Sequence, residues 1–432
     1  MRDYVFIPLI IGLSLAALRY PWVGVLAWTW LSIMNPHAYT WVAATLPLAA
    51  VVAACTLLGA LISKERQPVF ASAEARTLAL LMIWMTAHFP FYFSAEGSFE
   101  LWSKVMKIDL MILVTIAFLQ TKRQIVLFVW VVVLSLGFFG VKGGIFTIAT
   151  GNKSLVYGPG GFISGNNEIA LALIMTIPLM RFVQLEAKRN WEKWGWAAAM
   201  VLSAAAALGS YSRGALVALI GMALYLWLKS PRKLVFGVGI VLAAFLVLPF
   251  MSERWETRMG TITDYETDSS ASGRINAWWM TWNLAKDNFS GGGFDIYTKE
   301  LFARYAPNPL DVHAAHSIYF QMLGEHGWIG LFLFLLLWWF VWRSAAWLIR
   351  EGGQSEDTQW CRNLGAMCQV SLVGYALGGA FLSLAYFDLP YDVLAIVVVT
   401  KRWLLAHRLQ AKTEPARDSN DRLAIRPLGH AP

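Results

Sequence analysis

Long apolar runs alternate with short polar connections along the whole chain. LVFGVGIVLAAFLVLPF (234–250) and LFLFLLLWWFVW (331–342) are, with their neighbours, long enough to cross a hydrocarbon layer about 30 Å thick. The runs are continuous rather than alternating at period two, which argues against a β-barrel. After Lys64, apolar segments near 76–93, 103–119, 124–149, 165–184, 194–209, 212–228, 233–250, 327–349, 364–384 and 389–405 predict helices. Segments 4–19 and 22–35 are short and are separated by Arg19-Tyr20-Pro21. Because proline breaks or kinks a helix, they form either two short helices or one bent segment. Residues 41–62 follow as a full span. The pattern predicts an all-α polytopic membrane protein of about twelve transmembrane helices, with thirteen as the alternative.

Composition agrees. The chain has 432 residues, 57% hydrophobic and only 14% charged, with a mean hydropathy of +0.52. A soluble protein of this size carries nearly twice that charged share. The net charge of +8 points to cytoplasmic loops rather than to nucleic acid. Basic clusters at Lys64/Arg66, Lys122/Arg123, Lys188/Arg189/Lys193, Lys229/Arg232/Lys233 and Arg343/Arg350/Arg362, and the tail from Lys401, alternate with connections poorer in Lys and Arg. The positive-inside rule places the clusters in the cytoplasm, both termini with them, and the other loops outside. Four regions follow: N-terminal membrane helices at 1–250, a long outside loop at 251–326, C-terminal membrane helices at 327–405, and a polar tail at 406–432 expected to be disordered in the cytoplasm. Cys55, Cys361 and Cys368 sit in or beside apolar stretches without zinc spacing or an obvious disulfide pairing, and read as packing residues.

The outside loop is far longer than usual, and long loops are commonly functional. Residues 267–287 read as a helix carrying Arg274 in its first turns. Trp278, Trp279 and Trp282 share one face, predicting a helix at the outer surface of the bilayer. The loop ends in DVHAAHSIYFQMLGEHGWIG (311–330), which holds His313, His316 and His326. His313 and His316 stand three apart, the spacing of a shared helix face, and Glu325 with His326 begin the next membrane helix. Arg213 sits at a second outside turn, Gly209-Ser210-Tyr211-Ser212-Arg213-Gly214. An arginine at such a turn either meets an anion or snorkels to the interface. A third connection, GNKSLVYGPGGFISGNNE (151–168), ends with Asn166, Asn167 and Glu168 opening a helix, where exposed amides suit an anion or sugar hydroxyls. Lys142 lies toward the outer half of its helix and either faces the same cavity or snorkels.

These residue types suggest one chemistry. Fixed cations, Arg213 and Arg274, would hold an anionic group near the outer leaflet, and a histidine would take a proton from a nucleophile. That suits transfer of a group from a lipid-linked phosphate or diphosphate. HxxH without a third ligand does not make a metal site, and no cofactor is expected.

SRGAL (212–216), SGR before a Trp-rich helix (272–282), SGGGFD (290–295) and HSIYFQMLGEHGWIG (316–330) resemble the bacterial O-antigen ligase family and its relatives, the O-antigen polymerases and O-linked oligosaccharyltransferases. RYPWVGVLAWTWLSIMNPH (19–37) resembles O-glycosylation ligases associated with exosortase systems. The resemblance implies a GT-C-like, metal-independent, inverting glycosyltransferase of the bacterial inner membrane. Its active site would face the periplasm. Its donor would be a glycan on undecaprenyl diphosphate and its acceptor the lipid A-core oligosaccharide. By position, His316 matches the family's essential histidine, and Arg213 and Arg274 match its essential arginines, as ligands of the diphosphate. Ser317 stands where the family often has Asn. His313, Lys142, Asn167, Tyr211 and Glu325 are supporting candidates. A polymerase, a protein oligosaccharyltransferase and, from another class, a lipid-linked glycan transporter are the alternatives.

Overall fold

The computed structural model describes residues 2–88, 97–235, 237–239, 242 and 269–424, and side chains for all of these except 269–270 and 411–424. The described residues form helices joined by turns and short irregular segments. Most of the helix expected at 233–250, and residues 251–268 of the loop that follows it, lie outside them.

The first three helices are α1 (Arg2–Arg19), α2 (Pro21–Met34) and α3 (Leu48–Ile62). Residues 4–35 thus make two helices rather than one bent one. Pro21 opens α2, where its missing N–H would be unsatisfied anyway and its fixed φ is already helical. Then come α4 (Ala73–Ala87), α5 (Ser98–Phe118), α6 (Lys122–Ala149), α7 (Asn166–Glu186), α8 (Asn190–Leu208) and α9 (Arg213–Lys229). Thr121 and Gln124 form a reciprocal capping box that starts α6. Within the long loop lie α10 (Ser269–Asp287) and α11 (Lys299–Tyr305), and from its end onward α12 (Ile318–Glu351), α13 (Gln359–Gly378) and α14 (Asp388–Ala424). By length and composition α6, α7, α12 and the helical stretch 356–381 can cross a membrane, and α2 and α3 are shorter apolar helices. The protein is a helical membrane protein.

Small residues set the tightest packing. A Cβ at Gly144 of α6 would lie 2.2 Å from the Leu202 carbonyl oxygen of α8, and one at Gly140 would lie 2.1 Å from Ser203 Oγ. Without a hydrophobic drive between helices in lipid, such backbone approach is what holds two helices together. Gly→Ala at Gly144 would have to push α8 away.

Three boundaries differ from the sequence expectation. The full span expected at 41–62 is a fifteen-residue helix that starts only at Leu48, because 41–47 holds a short 3-10 turn and Pro47. The helix expected from 327 starts at Ile318 and kinks at Gly327, whose backbone (φ 66, ψ −164) is not helical. Glu325 and His326 therefore sit before a kink deep in α12, not in the first turn of a new helix. At the other end α14 continues through Ala424, so part of the tail that its polar composition marked as unstructured is helical.

The interior also holds ionisable groups that a reading of apolar runs passes over. Asp109 of α5, Asp388 and Asp392 of α14, and Glu74 of α4 are all buried. Ser344 of α12 donates to Glu74 and accepts from Lys401 Nζ at 2.9 Å. Arg402 donates to the carbonyls of Ile116 and Leu119, each at 2.7 Å, and so closes the C-terminal end of α5.

Candidate active site

Two helix starts and two arginines meet in one small polar pocket. Its lining is Asn167, Ser212, Arg213, Gly214, Arg274, Phe381 and Leu382. Each element arrives for a local reason. Ser212 is the N-cap of α9, its hydroxyl accepting the Ala215 N–H at 3.2 Å, which makes Arg213 the first helical residue. Asn166 and Asn167 open α7, and Asn166 Nδ2 donates to the Ser210 carbonyl at 2.7 Å, tying that helix start to the α8–α9 turn. Helix N-termini carry partial positive charge and unpaired N–H groups. Adding two guanidinium groups makes the pocket suited to an anion with several oxygens. Glu168, next along α7, lies within electrostatic reach of Arg274.

Tyr211 shapes this turn rather than lining the pocket. It is buried, has φ 58, and its hydroxyl donates to the Asn152 carbonyl.

His316 lies beside Arg274. Burial first, then the Arg274 guanidinium, then His313 push its imidazole down to about 4. It is therefore neutral near pH 7, able to accept a proton and not itself a fixed cation. Its backbone has φ 43, a left-handed conformation that costs a non-glycine residue about 1–2 kcal/mol. The surroundings hold it there. Trp278 Nε1 donates to the Ala315 carbonyl at 2.7 Å, and the Trp278 ring stacks on Phe320, centroids 5.0 Å apart. Asn276 Nδ2 donates to the carbonyls of Asn308 and Asp311 at 2.8 and 2.9 Å, and Asn276 Oδ1 accepts the Asn308 N–H at 2.8 Å. The helix α10 is thus a splint for the irregular segment that leads to His316. Strain that several contacts over-determine is common at functional sites.

This changes two expectations. His313 and His316 do not share a helix face, because 311–317 is irregular and α12 begins only at Ile318. His313 pairs with Asp311 (Nδ1 to Oδ1, 2.7 Å) and is largely exposed. Nor do the tryptophans form one lipid-facing stripe. Trp278 packs inward on the histidine segment, while Trp279 and Trp282 stay exposed, Trp282 with its ring edge-on to Trp328.

Two supporting candidates lie elsewhere. Lys142 lines a separate apolar groove with Trp30, Phe138 and Trp196, its Nζ 5.6 Å from the Tyr39 ring centroid. Glu325 is buried in α12, where it accepts hydrogen bonds from the Tyr386 hydroxyl and the Asp295 backbone N–H. The pocket-lining pair Phe381 and Leu382 escaped the sequence reading, because both are apolar and merge with the run before them.

Residues 198–335 match a family model described as O-Antigen ligase. The chain carries a domain of the O-antigen ligase family. Arg213, Arg274 and His316 all fall within that domain. Residues 1–188 match a family of unknown function, DUF5935, so Asn167 comes from a second family region, and the boundary falls near the α7–α8 turn. The stretch holding Phe381, Leu382 and Tyr386 lies beyond both matches. No curated protein matches the chain.

Proposed function

We propose that this protein is an O-antigen ligase, a GT-C-like enzyme with about twelve transmembrane helices in the bacterial inner membrane. It moves a glycan from undecaprenyl diphosphate to lipid A-core oligosaccharide at the periplasmic face, without a metal or other cofactor. The observation that carries the reading is the meeting of Arg213 and Arg274 in one pocket at two helix N-termini, with a neutral histidine beside Arg274.

In this reading the two guanidinium groups and the starts of α7 and α9 hold the donor diphosphate. Its negative charge offsets Arg274 and raises the proton affinity of His316. The imidazole then takes the proton of the acceptor hydroxyl as that oxygen bonds to the anomeric carbon. The bond from that carbon to the diphosphate oxygen breaks, the leaving oxygen keeps the electron pair, and the arginines stabilise its charge. The proton passes from His316 to solvent. One displacement inverts the anomeric configuration.

The test is transfer by the purified protein in detergent, supplied with lipid-linked glycan and lipid A-core in EDTA. A single inverted anomer on the core supports the ligase. Growth of the donor glycan without lipid A-core would make the protein a polymerase, and transfer only to a pilin-like polypeptide a protein oligosaccharyltransferase. A retained configuration would overturn the displacement itself.

A further inference from the structure

The loop between α13 and α14 does two things at once. Through Phe381 and Leu382 it forms one wall of the arginine pocket. Through Ala385 and Tyr386 it clasps the first segment of α12, residues 318–326, which follows directly on His316. The Ala385 N–H donates to Gln321 Oε1 at 3.3 Å. The Tyr386 hydroxyl donates to the Glu325 carboxylate and lies 2.6 Å from His326 Nε2. The loop is itself braced, with Tyr391 Oη donating to the Ala385 carbonyl at 2.8 Å and Tyr375 Oη to the Leu384 carbonyl at 3.1 Å.

The place of the clasp matters because α12 bends just after it. Gly327 adopts φ 66, and a Cβ there would stand 2.1 Å from the Phe289 carbonyl oxygen, so only glycine fits. The 290–293 loop fills the bend: Gly292 N–H donates to the Gly324 carbonyl at 2.9 Å and Gly293 N–H to the Glu325 carbonyl at 2.8 Å. Trp84 Nε1 takes up the His326 carbonyl at 2.9 Å. A bent helix has a free angle at its bend. The contacts of Glu325 and His326 fix that angle, and with it the direction of the segment that carries His316. Gln321, Glu325, His326 and Tyr386 are all buried, so losing one partner leaves a polar atom without water to replace it.

We infer that Tyr386 is a positioning residue: its hydroxyl, shared between Glu325 and His326, holds the first segment of α12, and with it His316 just before that helix, in register with the arginine pocket. The inference rests on the ligase reading for its effect on turnover, but its structural content does not. Tyr386→Phe removes the hydroxyl and keeps the ring that packs near Phe294, centroids 5.3 Å apart.

The experiment measures transfer kinetics and amide hydrogen exchange on wild type and Tyr386→Phe in the same detergent. Turnover should fall about tenfold, as a misplacement well under 1 Å would give, while the donor KM stays within about twofold because both arginines remain. Exchange should quicken in 316–326 and 379–387 and stay unchanged elsewhere. Gln321→Met, which removes the other contact of the clasp, carries the same expectation and serves if the tyrosine variant does not fold. Unchanged turnover, or exchange raised evenly through the molecule in step with a lower melting temperature, would overturn the inference. If wild type makes no product, the ligase reading falls, and the exchange pattern alone decides the clasp.

Discussion

His316 and His326 are ten residues apart on one short segment, and the molecule treats them in opposite ways. His316 ends an irregular stretch, in a left-handed conformation, part-buried and next to a guanidinium. His326 is fully buried in a helix, its Nε2 on Tyr386 and its ring edge-on to Phe294 at 4.7 Å. The first is held by its neighbours in a costly shape and stays part-exposed within reach of the Arg274 charge. The second is consumed by packing and hydrogen bonding. The same side chain is thus left part-exposed or taken up by packing according to whether the surrounding backbone spends its contacts on the ring or on the residues beside it.

The largest expected effect separates the two. His316→Ala should lower turnover by at least about a hundredfold, the usual contribution of a general base, with little change in melting temperature. His326→Ala should do the reverse: it removes a buried partner of Tyr386, costs about 1–3 kcal/mol of stability, and slows transfer only about tenfold through the bend. Turnover and thermal unfolding measured on both variants check this. Equal behaviour of the two would dissolve the distinction.

The arginines come next. Arg213→Gln and Arg274→Gln should each raise the donor KM about tenfold or more, as loss of a charge-assisted contact to a phosphate would. Of the two arginines, Arg274 is the one whose charge lowers the proton affinity of His316, so the two variants should differ in pH dependence. In the proposed displacement the imidazole works in its neutral form, and its folded pKa is depressed to about 4. In wild type, kcat/KM should therefore hold steady as pH falls through 6 and 5 and drop only near that value. In Arg274→Gln the depressing charge is gone, the proton is held more tightly, and the drop should begin at higher pH. A profile that does not move would place Arg274 too far from the histidine to matter.

How much of this the sequence disclosed follows from what kind of contact each part rests on. Helices announce themselves locally, so α6, α7 and α9 fall close to the expected spans. Arg213, Arg274 and His316 were legible because charge in an apolar chain stands out, and because SRGAL, SGR and the segment after His316 resemble a family. The kink at Gly327 was not legible. EHGWIG reads as continuous helix, and what bends it is the 290–293 loop, which comes from far earlier in the chain. The inward packing of Trp278 was not legible for the same reason: helical spacing says which residues share a side, but the Ala315 carbonyl and Phe320 decide which of them packs inside. Buried Asp109, Asp388 and Asp392 were overlooked because sparse charges inside long apolar runs barely change a hydropathy count.

The smallest expected effect concerns His313, the neighbour that the HAAH spacing singled out. Its imidazole is 46% exposed and paired with Asp311, itself partly in solvent. Exposed ion pairs contribute about 0–1 kcal/mol, and water screens their reach. Yet its ring rests on α10 at Gly273, where an added Cβ would stand 2.8 Å from Nδ1, and it is the third contributor to the lowered proton affinity of His316. His313→Gln should therefore leave turnover near pH 7 within about threefold of wild type and move the acid limb slightly upward, by less than Arg274→Gln does. A loss approaching that of His316→Ala would mean that the two histidines act as a pair, and the contrast between a reactive and a structural histidine would have to be redrawn with His313 on the reactive side.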